Sequence, residues 1–67
     1  MASLLRDARL KSDLTQGDLA KRLARTQVYV SNVENAVRRL DLVELRDYCA
    51  ALEIGLEKLV ARWERSL

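Results

Sequence analysis

Gln27, Val28, Ser31 and Asn32 follow one another at the spacing that gathers side chains on one side of a helix. Their chemistry suits the edge of a base pair. A Gln or Asn amide can hydrogen-bond adenine in bidentate fashion, and a valine can pack on the methyl of thymine. Gln16 is expected at the start of a preceding helix, where its amide and the free N–H groups of the first turn can hold a phosphate. Arg38 and Arg39 add two adjacent cations in a loop. Taken singly, each is an ordinary surface residue. As a set facing one way, they point to contact with duplex DNA.

No constellation for covalent chemistry competes with this set. There is no histidine, a single cysteine and no glycine-rich loop, so no nucleophile–base pair, phosphate cradle or metal cage can be drawn. The chain is expected not to be an enzyme and to need no cofactor or metal. Cys49 lies in an apolar helical pattern and reads as a small buried hydrophobe in a reducing cytoplasm. Charges interrupt every apolar run, so neither a signal peptide nor a membrane span is expected.

The elements that must position these side chains are helical. The 67 residues include no proline and two glycines, and they are rich in Leu, Ala, Arg and Glu, a composition that reads as one small all-α domain. A chain of this size buries only about 60% of its unfolded surface, so its core must be economical. The net charge of +2 says little by itself. Its distribution says more: residues 1–40 carry eight Lys/Arg against four Asp/Glu, and residues 41–67 carry four against six. The basic half holds the proposed contact set.

Ser3 can cap a first helix reaching about Ser12, with Leu5, Ala8 and Ser12 on one face and Arg9 among them. Thr15-x-x-Asp18 is a capping-box start for helix 2, whose inner stripe is Leu19, Ala20 and Leu23. Ala24-Arg25-Thr26 forms a turn, and Thr26 caps helix 3. Val30, Val33, Glu34 and Val37 then share that helix's inner face. Arg9 and Glu34 are thus a base and an acid each stranded on an apolar face. Pairing them is the economical solution, because an unpaired buried charge costs several kcal/mol. Two short capped helices around a tight turn, at about residues 15–36, have the layout of a helix-turn-helix.

Asp41-x-x-Glu44 opens helix 4 with a second capping box and turns Leu42, Leu45, Tyr48, Cys49 and Leu52 inward. Glu53 to Gly55 turn the chain into helix 5, about residues 56–65, with Leu56, Leu59, Val60 and Trp63 along one stripe. Trp63 and Leu67 extend the Leu56–Val60 line beyond what so small a domain needs. Leu56, Val60, Trp63 and Leu67 are therefore candidates for a dimer surface, the alternative being that Trp63 closes the monomer core against helix 1.

The segments LTQGDLAKRLA, TQVYVSNVE, RRLDLVEL and ALEIGLEKL resemble the phage-repressor and Cro family of helix-turn-helix proteins, the XRE type. The resemblance spans about residues 3–60 and implies a compact five-helix, lambda-repressor-like domain with helix 3 as recognition helix. It implies base contacts from Gln27, Val28, Ser31 and Asn32. Phosphate contacts are implied at Gln16, Thr26, Asn35, Arg38 and Arg39, and a buried Arg9–Glu34 ion pair. Two positions depart from the family, which places glycine where Ala24 and Ala36 stand. Alanine in a left-handed conformation costs on the order of 1 kcal/mol. Strain or a different backbone is therefore expected at Ala24. At Ala36, helix 3 is expected to run on through Val37. Val28 also offers no hydrogen bond where many relatives have a polar residue.

One such domain reads few base pairs, so useful affinity implies a homodimer on a pseudo-palindrome, acting as a small repressor by occupancy. The alternative is a protein-interaction module, such as the antitoxin of a toxin–antitoxin pair. A further one is a regulator touching RNA polymerase through Asp41, Glu44 and Asp47.

Overall fold

The computed structural model describes residues 1–67 as five helices joined by short links: α1 (Ala2–Lys11), α2 (Gln16–Leu23), α3 (Gln27–Glu34), α4 (Leu42–Ala51) and α5 (Leu56–Ser66). Three of the four internal starts are fixed as their side chains dictate, and the fourth, at α5, has Gly55 in the cap position with no side-chain bond. Thr15 Oγ1 accepts the Asp18 N–H at 3.0 Å, and Asp18 returns the bond to the Thr15 N–H at 3.1 Å. Thr26 Oγ1 accepts the Tyr29 N–H at 3.2 Å. Asp41 and Glu44 close their reciprocal box at 2.7 and 3.0 Å. At α1 the expectation fails. The helix begins two residues earlier, with Met1 in the cap position and no side-chain bond, so Ser3 lies inside the first turn.

The helix ends repeat one device. Asp13, Ala24, Ala36 and Glu53 all adopt left-handed backbone conformations, with φ between 54° and 60°. Each is followed by a residue whose N–H reaches five residues back, namely Leu14 to Arg9, Arg25 to Ala20, Val37 to Asn32 and Ile54 to Cys49, at 2.9–3.3 Å. This is the closing bond of a Schellman motif, normally built on glycine. Here no glycine has positive φ. Two expectations are settled by it. Ala24 is strained, as its position implied. Ala36 is strained too, so α3 stops at Glu34 and does not run on through Val37.

The reversal at Ala36 turns Val37 outward, 74% exposed, and brings Leu40 onto the core in its place. Leu42 is likewise exposed rather than inward, because it is the first residue of α4 and its cap directs it away from the bundle. Ser12 caps α1 from the surface.

Every helix contributes to one core: Leu5 and Ala8, Leu19 and Ala20, Val30 and Val33, Tyr48 and Cys49, and Leu59, with Leu52 from the α4 cap. Tyr48 is the largest of the fully buried side chains, and its hydroxyl has no hydrogen-bond partner. Burial pushes its phenol well above the ordinary value, and the side chain stays neutral within the core.

Candidate nucleic-acid interface

The corner between α2 and α3 is held by four residues around one carboxylate. Arg9 Nε and Nη2 donate to Glu34 Oε2 and Oε1 at 2.6 and 3.0 Å, a bidentate pair. The remaining Arg9 nitrogen, Nη1, donates to the Leu14 carbonyl at 2.8 Å, and Gln16 Nε2 donates to Glu34 Oε1 at 3.2 Å. The network ties α1, the α1–α2 link, the start of α2 and the end of α3 together. The Arg9 and Glu34 side chains are only 9% and 3% exposed. Burial works to raise the Glu34 pKa, but the bonds from Arg9 and Gln16 outweigh it and hold the carboxyl below its ordinary range. The bond to Glu34 raises Arg9 in turn. Both are charged at neutral pH.

Gln16 therefore has a structural task alongside the phosphate contact expected of it. Its amide nitrogen is used within the protein. Gln27 reaches toward the same corner: its Oε1 lies 3.9 Å from where a Cβ on Gly17 would stand. The two glutamines thus converge on the first turn of α2.

The Arg9 network and the buried Val30 and Val33 fix the roll of α3, which leaves Gln27 and Val28 exposed and Ser31 and Asn32 half-buried. The four expected base-facing residues lie together on this one short helix. Val28 is 66% exposed, an apolar side chain presented largely to solvent. Asn35 Nδ2 donates to Ser31 Oγ at 3.3 Å, which leaves the Ser31 hydroxyl proton free to donate outward. Thr26 is similar: its oxygen caps α3 and its hydroxyl proton stays available.

Around Tyr29, in the first turn of α3, lies a cluster that spacing arguments did not find. The guanidiniums of Arg25 and Arg38 each stand 5.0 Å from the centre of the Tyr29 ring. Arg38 Nη2 also donates to Glu44 Oε2 at 2.6 Å. The bond to Glu44, with help from Tyr29, raises the Arg38 pKa. A cap bond from the Asp41 backbone, then Arg38, lower that of Glu44. Arg25 and Tyr29 are four residues apart, a helical-contact spacing hidden by the turn between them. Arg39, by contrast, is exposed and makes no ion pair.

Asp41, Glu44 and Asp47 do not form a free acidic patch. The first two close the α4 capping box, Glu44 also holds Arg38, and Asp47 lies 3.8 Å from Arg46. On α5, Leu56 packs against the core. Val60 is half-buried outside the core, Trp63 is 39% exposed and Leu67 is 86% exposed. Leu56, Val60 and Ala61 line a shallow surface depression edged by Glu57 and Glu64. No three His, Cys, Asp or Glu side chains converge to hold a metal ion, and no helix is long and apolar enough to cross a membrane.

Comparison with known families places residues 1–63 in a match to a family described as a helix-turn-helix domain. Among solved structures, the chain is similar to an XRE-family like protein from Pseudomonas syringae pv. tomato str. DC3000. Identity is 40% over 97% of this chain and 79% of that one, with a TM-score of 0.89. The restriction-modification controller protein C.Esp1396I shares the fold at 23% identity, over 96% of this chain and 84% of that one, with a TM-score of 0.88. The clp gene regulator ClgR from C. glutamicum shares it at 22% identity, over 90% and 77%, with a TM-score of 0.84. A search of curated proteins finds no match.

Proposed function

We propose, from the premise that this chain belongs to the XRE family of helix-turn-helix DNA-binding transcriptional regulators, that it is a small repressor acting by occupancy of a pseudo-palindromic operator. The observation that carries the reading is the braced α3. Its outer side chains Gln27, Val28, Ser31 and Asn32 meet a major groove while its inner residue Glu34 is locked to α1. Asn32 and Gln27 hydrogen-bond base edges, and Val28 packs on a thymine methyl. Gln16, Thr26, Asn35, Arg38 and Arg39 hold the flanking phosphates, which sets register without reading sequence.

The working form is a homodimer. The exposed Trp63 and Leu67, beside the apolar strip of Leu56 and Val60, supply a self-complementary surface on α5. Two copies joined there place two recognition helices about one helical turn, roughly 34 Å, apart. The setting is cytoplasmic, where its DNA and a reduced Cys49 are found together.

Selection of bound sequences from random duplexes, run beside a measured mass in solution, tests both halves. An enriched inverted repeat and a dimer mass are expected. Absence of any enriched sequence at moderate salt contradicts specific regulation, and a monomer mass on and off DNA contradicts the α5 interface.

A further inference from the structure

An acid stands among the cations at the edge of α3. Glu44 Oε2 accepts from Arg38 at 2.6 Å while Oε1 accepts the Asp41 backbone N–H at 3.0 Å, so the carboxylate is fixed by the first turn of α4. Arg38 is also held from its face by Tyr29, with Arg25 against the same ring. We propose that Glu44 limits the affinity of this protein for DNA by competing with a backbone phosphate for Arg38. The inference rests on the DNA-binding reading and deepens it by naming a residue that weakens the contact.

The sign follows from charge. A phosphate reaching Arg38 either displaces Glu44, breaking a charge-assisted bond, or shares the guanidinium with it, which sets two anions close together. Both oppose binding. The opposite effect, in which Glu44 orients Arg38 for the phosphate, is small here because Tyr29 still holds the guanidinium once the acid is gone. A phosphate contact carries no sequence information. An acid that weakens it therefore lowers the sequence-independent part of binding and leaves the base contacts of α3 intact.

Glu44→Gln tests the idea against Asp47→Asn, which makes the same charge change on the same helix at an acid beside Arg46 rather than Arg38. Glutamine also serves in a capping box, so α4 keeps its start, and thermal melts by circular dichroism verify that both variants fold. The readout is titration of a fluorescent random-sequence duplex across a salt series. Glu44→Gln is expected to bind about fivefold tighter than Asp47→Asn, with a log–log salt slope steeper by a fraction of the roughly 0.9 that one whole phosphate contact contributes. In an Arg38→Ala background the advantage of Glu44→Gln is expected to vanish. Binding by Glu44→Gln equal to or weaker than Asp47→Asn overturns the inference, as does an advantage that survives Arg38→Ala. If neither wild type nor variants bind any duplex at low salt, the DNA-binding reading fails and the inference falls with it.

Discussion

Arg9 and Glu34, 25 positions apart in the chain, meet through two hydrogen bonds of 2.6 and 3.0 Å beneath the corner of the helix-turn-helix. The pair does more than neutralise two buried charges. Through Leu14 and Gln16 it fixes the last turn of α3 to the first turn of α2, so the angle between the helices and the outward face of α3 are set together.

Replacing Glu34 by Ala leaves Arg9 charged in a nearly closed site and is expected to destabilise the fold by about 3–5 kcal/mol, measured by urea denaturation. A loss below about 1 kcal/mol would mean that Arg9 reaches water and that the pair behaves as a surface one.

The same pair predicts acid sensitivity. The Glu34 pKa in the folded protein lies below its ordinary 4.5, so the unfolded chain takes up the proton first as pH falls. The stabilisation is complete above pH 4.5 and is lost as pH falls through the folded value. Asp18 and Glu44 are lowered as well, so the wild-type slope is shared. Glu34→Gln isolates one part of it: the variant should lose less stability between pH 5 and 3 than wild type does. Parallel slopes would show that Glu34 has no depressed pKa.

The alanines at the turns carry removable strain. Ala24→Gly and Ala36→Gly are each expected to stabilise by about 0.5–1 kcal/mol, because glycine adopts positive φ without a Cβ clash. A fall in the thermal midpoint in both variants would place these residues outside the left-handed region.

Tyr48 offers an opposite kind of test. Its buried hydroxyl has no partner, so Tyr48→Phe is expected to be neutral or to stabilise by up to about 1 kcal/mol in the same denaturation assay. A loss above about 1 kcal/mol would mean that the hydroxyl is hydrogen-bonded in solution.

What the sequence disclosed, and what it hid, divides along physical lines. Caps are local, and Thr15–Asp18, Thr26 and Asp41–Glu44 were legible from type and spacing alone. The Arg9–Glu34 pair was legible because each charge falls on an apolar stripe with no other way to be satisfied. Leu42 was misplaced because it opens α4, where the cap sets the direction of the side chain, and Val37 because periodicity assumes that a helix continues in register. A left-handed residue at Ala36 breaks that register, and alanine gives no local sign of it. Ser3 has the chemistry of a cap but lies inside α1. The Tyr29 cluster was hidden because Arg25, Arg38 and Glu44 come from a turn, a loop and another helix, which only the tertiary fold brings together. Gln16 was legible as a residue of the corner, but its bond to Glu34 was not.

The most direct test of the central claim is the affinity of Asn32→Ala and Arg39→Ala for a selected site and for a scrambled duplex at one salt concentration. Asn32→Ala is expected to lose about 1–3 kcal/mol on the selected site and almost nothing on the scrambled one. Arg39→Ala is expected to weaken both alike. If Asn32→Ala weakens both duplexes equally, or neither, α3 does not read the bases and the account of this surface is wrong.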